Sequence, residues 1–355
     1  MRSIYIASTE GSGGKTTLAV GLALALRRRG LTVGYCKPVG LIPSPPRADG
    51  DLSDDDARFV AQVLGLSETP AELCPVLLDE DAVHQVLGGA EVDAMERVRA
   101  AFERLKAGKD LLVCEGLGEV WQGRFLRTSG RDIVAALDLG TLLVARYAGA
   151  RLLDDICYVK DSLKQRLLGV VFTLVPETRR DIVEGDYATF LQANGIETFG
   201  VLPADPRLSS VTVAEIAVAL EATYVSGDEH GELAVESYLI GAMSPEHARR
   251  YFDQTPRKAV VVGGDRAEIV LAALETSTSV VVLTGGRVPS ATVLARAHDV
   301  GVPILSVATD TVAAAENLRR LFGRLGGHDP RKVELVSEVI EAGLDVDRLV
   351  SLLGE

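Results

Sequence analysis

A glycine-rich stretch between a strand pattern and a helical pattern most constrains the fold of this 355-residue chain. Residues 4–7 (Ile-Tyr-Ile-Ala) are β-branched and aromatic, which favours a buried strand. Residues 17–29 are largely apolar, end in arginines and precede Gly30, which predicts a helix that ends there. Between them, residues 9–17 read Thr-Glu-Gly-Ser-Gly-Gly-Lys-Thr-Thr, which fits GxxxxGK[ST] except that Thr9 replaces the first glycine. The order strand, loop, helix predicts a phosphate-binding loop.

The residue types in this loop match the chemistry of phosphate binding. Small residues let backbone N–H groups close around phosphate oxygens, and the helix N-terminus adds its positive dipole end. Lys15 is expected to reach the β- and γ-phosphates of ATP, and the Thr16 hydroxyl to ligate Mg²⁺. A glycine-rich turn with a chance lysine is the alternative, and the flanking strand and helix disfavour it. The predicted binding residues are Glu10, Gly11, Ser12, Gly13, Gly14, Lys15, Thr16 and Thr17.

Strand and helix patterns then alternate along the whole chain. Strands are predicted at 32–36, 111–114, 141–144, 168–172, 199–202, 235–239, 259–262, 280–283 and 304–307. Helices are predicted at 94–105, 152–163, 182–192, 213–220, 245–252, 266–274, 291–298 and 313–324. Such alternation is typical of parallel βαβ units with helices on both faces, which bind ligands at the carboxyl ends of the strands. The predicted fold class is α/β, with a mostly parallel sheet of the P-loop NTPase type followed by a smaller α/β domain.

A polar, turn-rich segment at residues 224–231 indicates a domain boundary. We therefore predict a nucleotide-binding domain at residues 1–222 and a smaller α/β domain at 223–330. A helical tail is predicted at 331–355.

Charge and cysteine spacing disfavour several classes of protein. A formal net charge of -13 repels a nucleic-acid backbone. The longest apolar run, at residues 16–26, is about half of the ~20 residues that span a bilayer, and no signal-peptide pattern is visible. The four cysteines contain no CxxC pair, which disfavours a disulfide framework or a zinc knuckle. We expect a cytoplasmic homo-oligomer that binds neither nucleic acid nor membranes.

Charged residues follow the strand patterns near the loop. Lys37 comes directly after the second strand, where it could hold a substrate carboxylate, a carbamate or a transferred phosphoryl group, or could simply be solvated. Asp54 and Asp56 open a helical pattern, where they could bind Mg²⁺ or only favour the helix dipole. Glu115 ends the apolar strand at 111–114, where P-loop enzymes hold the metal. The predicted catalytic residues are Lys15 and Lys37, and the predicted metal ligands are Thr16, Asp54, Asp56 and Glu115.

Two turns of the second domain form a second candidate site. Asp265 and Arg266 lie at a strand end that opens a helix, and Thr284, Gly285 and Gly286 follow the next strand. Neighbouring parallel strands end at one edge, so the two turns can share a crevice. An arginine fork and accessible glycine N–H groups suit a small anionic effector. The alternative is that the aspartate caps the helix, the arginine pairs with a nearby acid and the glycines only make a turn.

The N-terminal motifs resemble a known family. Thr-Glu-x-x-x-Gly-Lys-Thr at 9–16, Lys-Pro-Val at 37–39, the acidic helix start at 54–56 and the strand ending in Glu-Gly at 115–116 are similar to the ATP-binding domain of dethiobiotin synthetase. They resemble still more closely the dethiobiotin-synthetase-like N-terminal domain of long-form bacterial phosphate acetyltransferase. The segments at 240–245, 264–269 and 283–286 resemble a DRTGG domain. The two sets of motifs occur in the same order as in that enzyme. The catalytic acetyltransferase domain is expected to be absent.

The resemblance implies roles for single residues. It places Lys15 and Thr16 at ATP and Mg²⁺, Lys37 at the substrate or γ-phosphate, and Glu115 with one of the two aspartates at Mg²⁺. Thr173 departs from the family, which has an asparagine there to read adenine, so bidentate base recognition is lost.

Two functions remain open at this stage. The first is a nucleotide-dependent metabolic regulator in which the DRTGG domain carries the response. The second is an ATP-dependent ligase or kinase of the dethiobiotin synthetase type, acting on a small carboxylate or carbamate. We favour the regulator, because a synthetase of this type needs no DRTGG domain.

Overall fold

The computed structural model describes residues 2–11, 14–43, 50–90, 92–323 and 332–354. The chain forms two compact units, Met1–Ala204 with Gly327–Glu355 and, between them in sequence, Asp205–Gly326. The second unit thus begins earlier than the predicted boundary at residue 222. The helix at Val213–Ala219 explains the difference, because its Val213 and Ile216 are buried in the core of the second unit.

A six-stranded parallel sheet forms the centre of the first unit. Its order is β2-β5-β1-β6-β7-β8, and every pairing is parallel. The strands of the unit are β1 (Arg2–Ser8), β2 (Val33–Cys36), β3 (Val39–Leu41), β4 (Val76–Leu78), β5 (Leu111–Glu115), β6 (Gly140–Arg146), β7 (Leu167–Val175) and β8 (Glu197–Pro203). β3 and β4 form a separate parallel pair. Because β1, β2 and β5 are neighbours, their carboxyl ends bring the phosphate loop, Lys37 and Glu115 to one edge.

Helices cover both faces of this sheet, as the continuous burial of its central strands requires. They are α1 (Lys15–Arg28), α2 (Asp55–Leu64), α3 (Pro70–Leu73), α4 (Glu80–Leu87), α5 (Ala94–Lys106), α6 (Gly130–Leu137), α7 (Arg151–Leu163), α8 (Arg180–Ile182) and α9 (Ala188–Ala193). The predicted helix at 182–192 is interrupted, because a π-helical turn at Val183–Tyr187 separates α8 from α9.

The second unit contains a five-stranded sheet of order β10-β15-β14-β13-β12, parallel except for β10. The strands of the second unit, of which β9 and β11 lie outside this sheet, are β9 (Val211–Thr212), β10 (Thr223–Ser226), β11 (Ala234–Val235), β12 (Ser237–Ile240), β13 (Lys258–Gly263), β14 (Thr278–Thr284) and β15 (Ile304–Ser306). Its helices are α10 (Pro206–Ser209), α11 (Val213–Ala219), α12 (Pro245–Gln254), α13 (Ala267–Leu274), α14 (Ala291–Val300) and α15 (Thr311–Gly323). The predicted linker at 224–231 therefore contains part of an edge strand. The α/β class predicted from the sequence is confirmed.

The C-terminal helices belong to the first unit. α16 (Val333–Gly343) packs against α1, and α17 (Val346–Leu352) follows it. The contact is close because Gly21 has no side chain: a Cβ there would lie 2.3 Å from Ile340 Cγ1. Ion pairs from Arg28 to Glu341 (2.9 Å) and from Arg29 to Asp347 (2.6 Å) flank it. The predicted helical tail is thus a structural layer on the helix that starts at the phosphate loop.

The end of α16 also joins the edge of the sheet. Gly200 of β8 forms an antiparallel bridge with Leu344, and the Asp345 N–H donates to the Phe199 carbonyl at 2.8 Å.

None of the helices in the described part of the chain has the length and apolar character that a membrane span requires.

A buried lysine at the start of β13 is expected to make the stability of the protein depend on pH. Lys258 is fully buried, and its Nζ donates to Thr276 Oγ1 (2.9 Å) and to the Ser277 carbonyl (3.1 Å). Burial lowers the pKa of Lys258 to about 8. Because this value lies below that of an unfolded lysine, the unfolded chain holds the proton more tightly. Stability should therefore rise as pH increases from about 7 through 9.

We expect the Lys258→Met variant to lack this rise. The stability of the wild type relative to the variant should increase by about 1 kcal/mol between pH 7 and pH 9. Urea unfolding of both proteins at the two pH values measures the difference, since groups common to both cancel. Equal pH slopes in the two proteins would contradict the proposed cause.

Candidate functional site

The phosphate loop joins the end of β1 to the start of α1. Gly14 has φ of 93°, in the left-handed region that glycine adopts without strain, and it precedes the first turn of α1. Glu10 lies 3.6 Å from Arg146, measured from Oε1 to Nε, and Gly11 is exposed. Thr17 is buried in α1. Two predicted residues, Ser12 and Gly13, lie outside the described residues.

Lys15 is the first residue of α1 and is only 4% exposed. Its Nζ donates to Ser8 Oγ at 2.9 Å and to the Gly11 carbonyl at 3.0 Å. Burial lowers the pKa of Lys15, and the nearby Glu115 carboxylate opposes that shift. The lysine is thus held over the loop by neutral oxygens, which a phosphate could replace as stronger acceptors.

Glu115 is wholly buried at the end of β5 and uses both carboxylate oxygens. Thr16 Oγ1 donates to Oε1 at 2.7 Å, and the Tyr35 hydroxyl donates to Oε2 at 2.8 Å. Burial raises the pKa of Glu115, and Lys37 acts against the shift. The structure therefore joins the predicted threonine and glutamate metal ligands directly.

Lys37 lies among three carboxylates, and we call Lys37, Asp54, Asp56 and Glu115 the Lys37 cluster. The ammonium is hydrogen-bonded to Asp56 Oδ2. Its Nζ lies 3.4 Å from Asp54 Oδ1 and 3.5 Å from Glu115 Oε1. Lys37 is 2% exposed, so the alternative of a solvated lysine is wrong.

Local structure fixes the aspartate side of the Lys37 cluster. Asp54 is the N-cap of α2: its Oδ1 accepts from the Ala57 N–H (3.0 Å), and its Oδ2 accepts from the Leu41 N–H (2.9 Å). Gly40 makes room for it, because a Cβ there would lie 2.5 Å from Asp54 Oδ2 and 2.6 Å from Cys74 Sγ. Asp54 thus caps α2 and also lies beside Lys37, while Mg²⁺ binding by Asp54 or Asp56 stays a prediction.

The charges of the Lys37 cluster depend on one another. Burial disfavours the ammonium of Lys37, but Glu115, Asp56 and Asp54 outweigh it and raise the pKa of Lys37 well above its usual value. Burial raises the pKa of Asp54, against the effect of Lys37. One ammonium thus offsets part of the charge of three carboxylates, and its removal would leave them uncompensated.

The donor set fits magnesium in the way that P-loop proteins hold it. Thr16 and Glu115 offer hard oxygen atoms side by side, and Mg²⁺ commonly takes one or two protein ligands and completes its shell with phosphate oxygens and water. Among the described residues, no group of three or more His, Cys, Asp or Glu side chains could hold a metal ion by itself. A magnesium ion here would therefore depend on the nucleotide for ligands.

The two turns of the second unit do lie together, since Gly263 pairs in register with Thr284. The hydrogen-bond donors of these turns, however, already have acceptors within the protein. Arg266 donates to the carbonyls of Gly241 (3.1 Å) and Met243 (3.0 Å). Asp265 is exposed. The Arg266 guanidinium, which was predicted to bind an anion, is therefore hydrogen-bonded to a neighbouring loop.

The glycine donors of that turn are engaged as well. The Gly285 N–H donates to the Thr309 carbonyl (3.0 Å), and the Gly286 N–H donates to the Val307 carbonyl (2.9 Å). Thr284 Oγ1 lies 2.8 Å from Thr311 Oγ1. The anion site predicted here would need these bonds to rearrange.

Sequence reasoning missed two contributors to the site, Tyr35 and Ser8. Tyr35 was detectable, because it precedes Lys37 by two residues and alternation along a strand puts both on one face. Ser8, at the end of β1, was a polar residue next to the loop. Gly116, directly after Glu115, makes room for β1, because a Cβ there would lie 2.8 Å from the Tyr5 hydroxyl.

Two known families match separate parts of the chain. Residues 2–212, more than half of the chain, match the family described as AAA domain. The chain belongs to the AAA-domain family. Residues 215–321 of this AAA-domain protein match the DRTGG domain. The predicted resemblance, a dethiobiotin-synthetase-like phosphate-loop domain followed by a DRTGG domain, is confirmed.

Some relatives match nearly the whole chain, and others match little more than half of it. Phosphate acetyltransferase of Deinococcus radiodurans is 27% identical over 368 residues, which cover 97% of this chain and 50% of the relative. ATP-dependent dethiobiotin synthetase of Methanococcus vannielii is 26% identical over 206 residues, 56% of this chain and 92% of the relative. The chain spans about half the length of the curated phosphate acetyltransferases it matches. MinD of Aquifex aeolicus, a solved structure, is 16% identical with a TM-score of 0.36 and covers 59% of this chain and 84% of MinD.

Proposed function

We propose that the first unit binds Mg-ATP and that the protein is a nucleotide-dependent metabolic regulator, related to the N-terminal region of phosphate acetyltransferase. One observation carries the nucleotide part of this proposal. Lys15 and the Thr16–Glu115 pair lie at one end of α1, the arrangement that P-loop proteins use for phosphate and magnesium.

The regulatory part rests on the second unit. The DRTGG domain is joined to the phosphate-loop domain in the same order as in phosphate acetyltransferases. The buried Thr173, near the end of β7, stands where dethiobiotin synthetases have an asparagine. The single hydroxyl of Thr173 cannot read adenine with two hydrogen bonds, as an asparagine can. A small anionic effector at the second unit would bias nucleotide binding, and by linkage ATP would change effector affinity by the same factor.

Lys37 supports a second candidate function, an ATP-dependent ligase or kinase of the dethiobiotin synthetase type. Its ammonium lies 3.5 Å from the carboxylate that Thr16 contacts, so it belongs to the phosphate end of the site. A lysine there can stabilise a transferred phosphoryl group or a carbamate. ATP turnover with diaminopelargonate and bicarbonate, compared with ATP alone, distinguishes the ligase from the regulator.

We expect Mg-ATP to stabilise the full chain, and the Lys15→Ala variant to lose most of that effect. At one hundred times Kd, ligand binding stabilises a protein by about 2.7 kcal/mol. The lysine is the direct charge contact to phosphate, so its loss should weaken binding strongly. Thermal unfolding with and without Mg-ATP measures both effects.

The matched control for Lys15 is Lys109→Ala, since Lys109 forms a partly exposed ion pair with Glu68 at 3.4 Å, away from the loop. This control should retain the stabilisation. An undiminished effect of Mg-ATP on Lys15→Ala would rule out the phosphate-loop assignment.

We expect Glu115→Gln to weaken nucleotide binding about tenfold when Mg²⁺ is present, the equivalent of about 1.4 kcal/mol. The amide keeps the shape of the side chain and removes the charge that attracts the metal. Binding of ATP in the presence of a chelator should change little. Calorimetric titration with and without Mg²⁺ makes the comparison, and equal losses under both conditions would assign Glu115 a structural role instead.

A further inference from the structure

The Lys37 cluster places a protein cation where the proposed magnesium ligands converge. Three carboxylates surround the Lys37 ammonium, from Asp54, Asp56 and Glu115. A lysine ammonium has three donors and no acceptor, so it can satisfy three acidic partners at once. Lys37 itself is 2% exposed, which makes it an internal counterion.

One oxygen atom connects this counterion to the proposed metal ligands. Glu115 Oε1 accepts the hydrogen bond of Thr16 Oγ1 at 2.7 Å and lies 3.5 Å from Lys37 Nζ. The other oxygen, Oε2, accepts from Tyr35. Any cation bound by Thr16 and Glu115 therefore meets the ammonium of Lys37 at the same oxygen.

Electrostatics makes the two cations competitors. Two positive charges a few ångströms apart in a buried site repel strongly, because little water screens them. Buried carboxylates that stay ionised, in turn, need a positive partner. Exchange of one cation for the other at Glu115 Oε1 keeps that oxygen paired and avoids placing two cations side by side.

We propose that Lys37 is a built-in substitute for the divalent cation. In the protein without nucleotide, it occupies the position beside Glu115 Oε1, offsets part of the charge of the cluster and keeps free Mg²⁺ out. With nucleotide and Mg²⁺ bound, Thr16 and Glu115 would hold the metal, which would offset the charge of Glu115, and Lys37 would turn to the nucleotide phosphates. This inference rests on the proposed nucleotide binding and adds an order of events: the metal enters only with the nucleotide.

The first test needs no nucleotide. Binding of Mn²⁺ alone is measured by electron paramagnetic resonance of the free ion for wild type, Lys37→Met and the matched control Lys109→Met. We expect Lys37→Met to bind Mn²⁺ at least about tenfold more tightly than wild type, because its carboxylates lack their cation. Lys109→Met should behave as wild type. A folded Lys37→Met variant that binds Mn²⁺ no more tightly than wild type would overturn the proposal.

The second test uses wild type and remains decisive if Lys37→Met fails to fold. The ¹⁵Nζ ammonium resonance of Lys37 is identified by its loss in Lys37→Arg. We expect it to be unchanged by millimolar Mg²⁺ alone and to shift when Mg²⁺ and a non-hydrolysable ATP analogue are added together. An unchanged resonance at saturating Mg²⁺-analogue would show that Lys37 stays in place, against the proposal. If calorimetry detects no binding of the analogue, the proposed function fails, and the Mn²⁺ comparison still decides the role of Lys37.

Discussion

Replacing Lys37 by methionine is expected to lower the free energy of unfolding by about 3–5 kcal/mol at pH 7. The ammonium is the shared cation of Asp54, Asp56 and Glu115, and burial leaves water unable to replace it. Burial raises the pKa of Asp54 and Glu115 above their unfolded values. The unfavourable charge is therefore present above those pKa values and relieved as pH falls through them, so the loss should be smaller at pH 5 than at pH 8.

Urea unfolding at both pH values measures the effect of Lys37→Met. The control Lys109→Met breaks a partly exposed ion pair with Glu68 and should cost about 1 kcal/mol. Adding Asp56→Asn to Lys37→Met should recover part of the stability, because one of the uncompensated charges is removed. A loss no larger than that of Lys109→Met would show that the cluster does not depend on its lysine.

The second large effect is expected at the contact between the sheet edge and the C-terminal helices. In Gly200→Ala, the added Cβ would lie 2.1 Å from the Gly343 carbonyl oxygen, a backbone atom that cannot rotate away. The bridge from Gly200 to Leu344 should break, and α16 should loosen from α1. We expect a loss of about 3 kcal/mol, at the upper end for overpacking.

Urea unfolding and limited proteolysis together measure this loosening. Cleavage within residues 333–352 should become faster in Gly200→Ala. The matched control is Gly185→Ala, because a Cβ at Gly185 meets nothing within 4 Å, and its stability should change by no more than about 0.5 kcal/mol. Wild-type protease resistance in Gly200→Ala would mean that the helices are held mainly by their contact with α1.

The parts of the site that depend on local pattern could be predicted from the sequence. The phosphate loop is a contiguous motif, and Lys37 and Glu115 follow apolar strands, so the rule that parallel strands end at one edge was enough to bring them together. The bond from Thr16 to Glu115 is the direct result. The α/β class followed from the alternation of strands and helices in the same way.

The partners of Lys37 required long-range information. Asp54 and Asp56 reach it because the chain returns to the site at the start of α2, and Gly40, having no side chain, leaves room for the capping carboxylate. No spacing rule in the sequence encodes that return. The ammonium and Glu115 could therefore be placed at the correct edge, while the contacts of Lys37 with Asp54 and Asp56 could be seen only in the structure.

In the second unit, the two strand ends at Gly263 and Thr284 could be predicted to be neighbours, but the partners of their donors could not. The Arg266 guanidinium donates instead to the backbone carbonyls of Gly241 and Met243. Buried or turn carbonyls need donors as much as a ligand does. The sequence alone shows which hydrogen-bond donors are present, but not which acceptor binds the arginine.

The return of the chain to the first unit through α16 has a consequence for dissecting the protein. A single cut between residues 205 and 332 leaves the helix that covers α1 on a different fragment from α1 itself. The fragment 1–204 would then show an uncovered apolar strip around Gly21, and its counterpart 205–355 would carry the complementary strip at Ile340. The two pieces are thus expected to recombine when mixed, so that split-protein complementation, rather than separate expression, is the natural way to take this molecule apart.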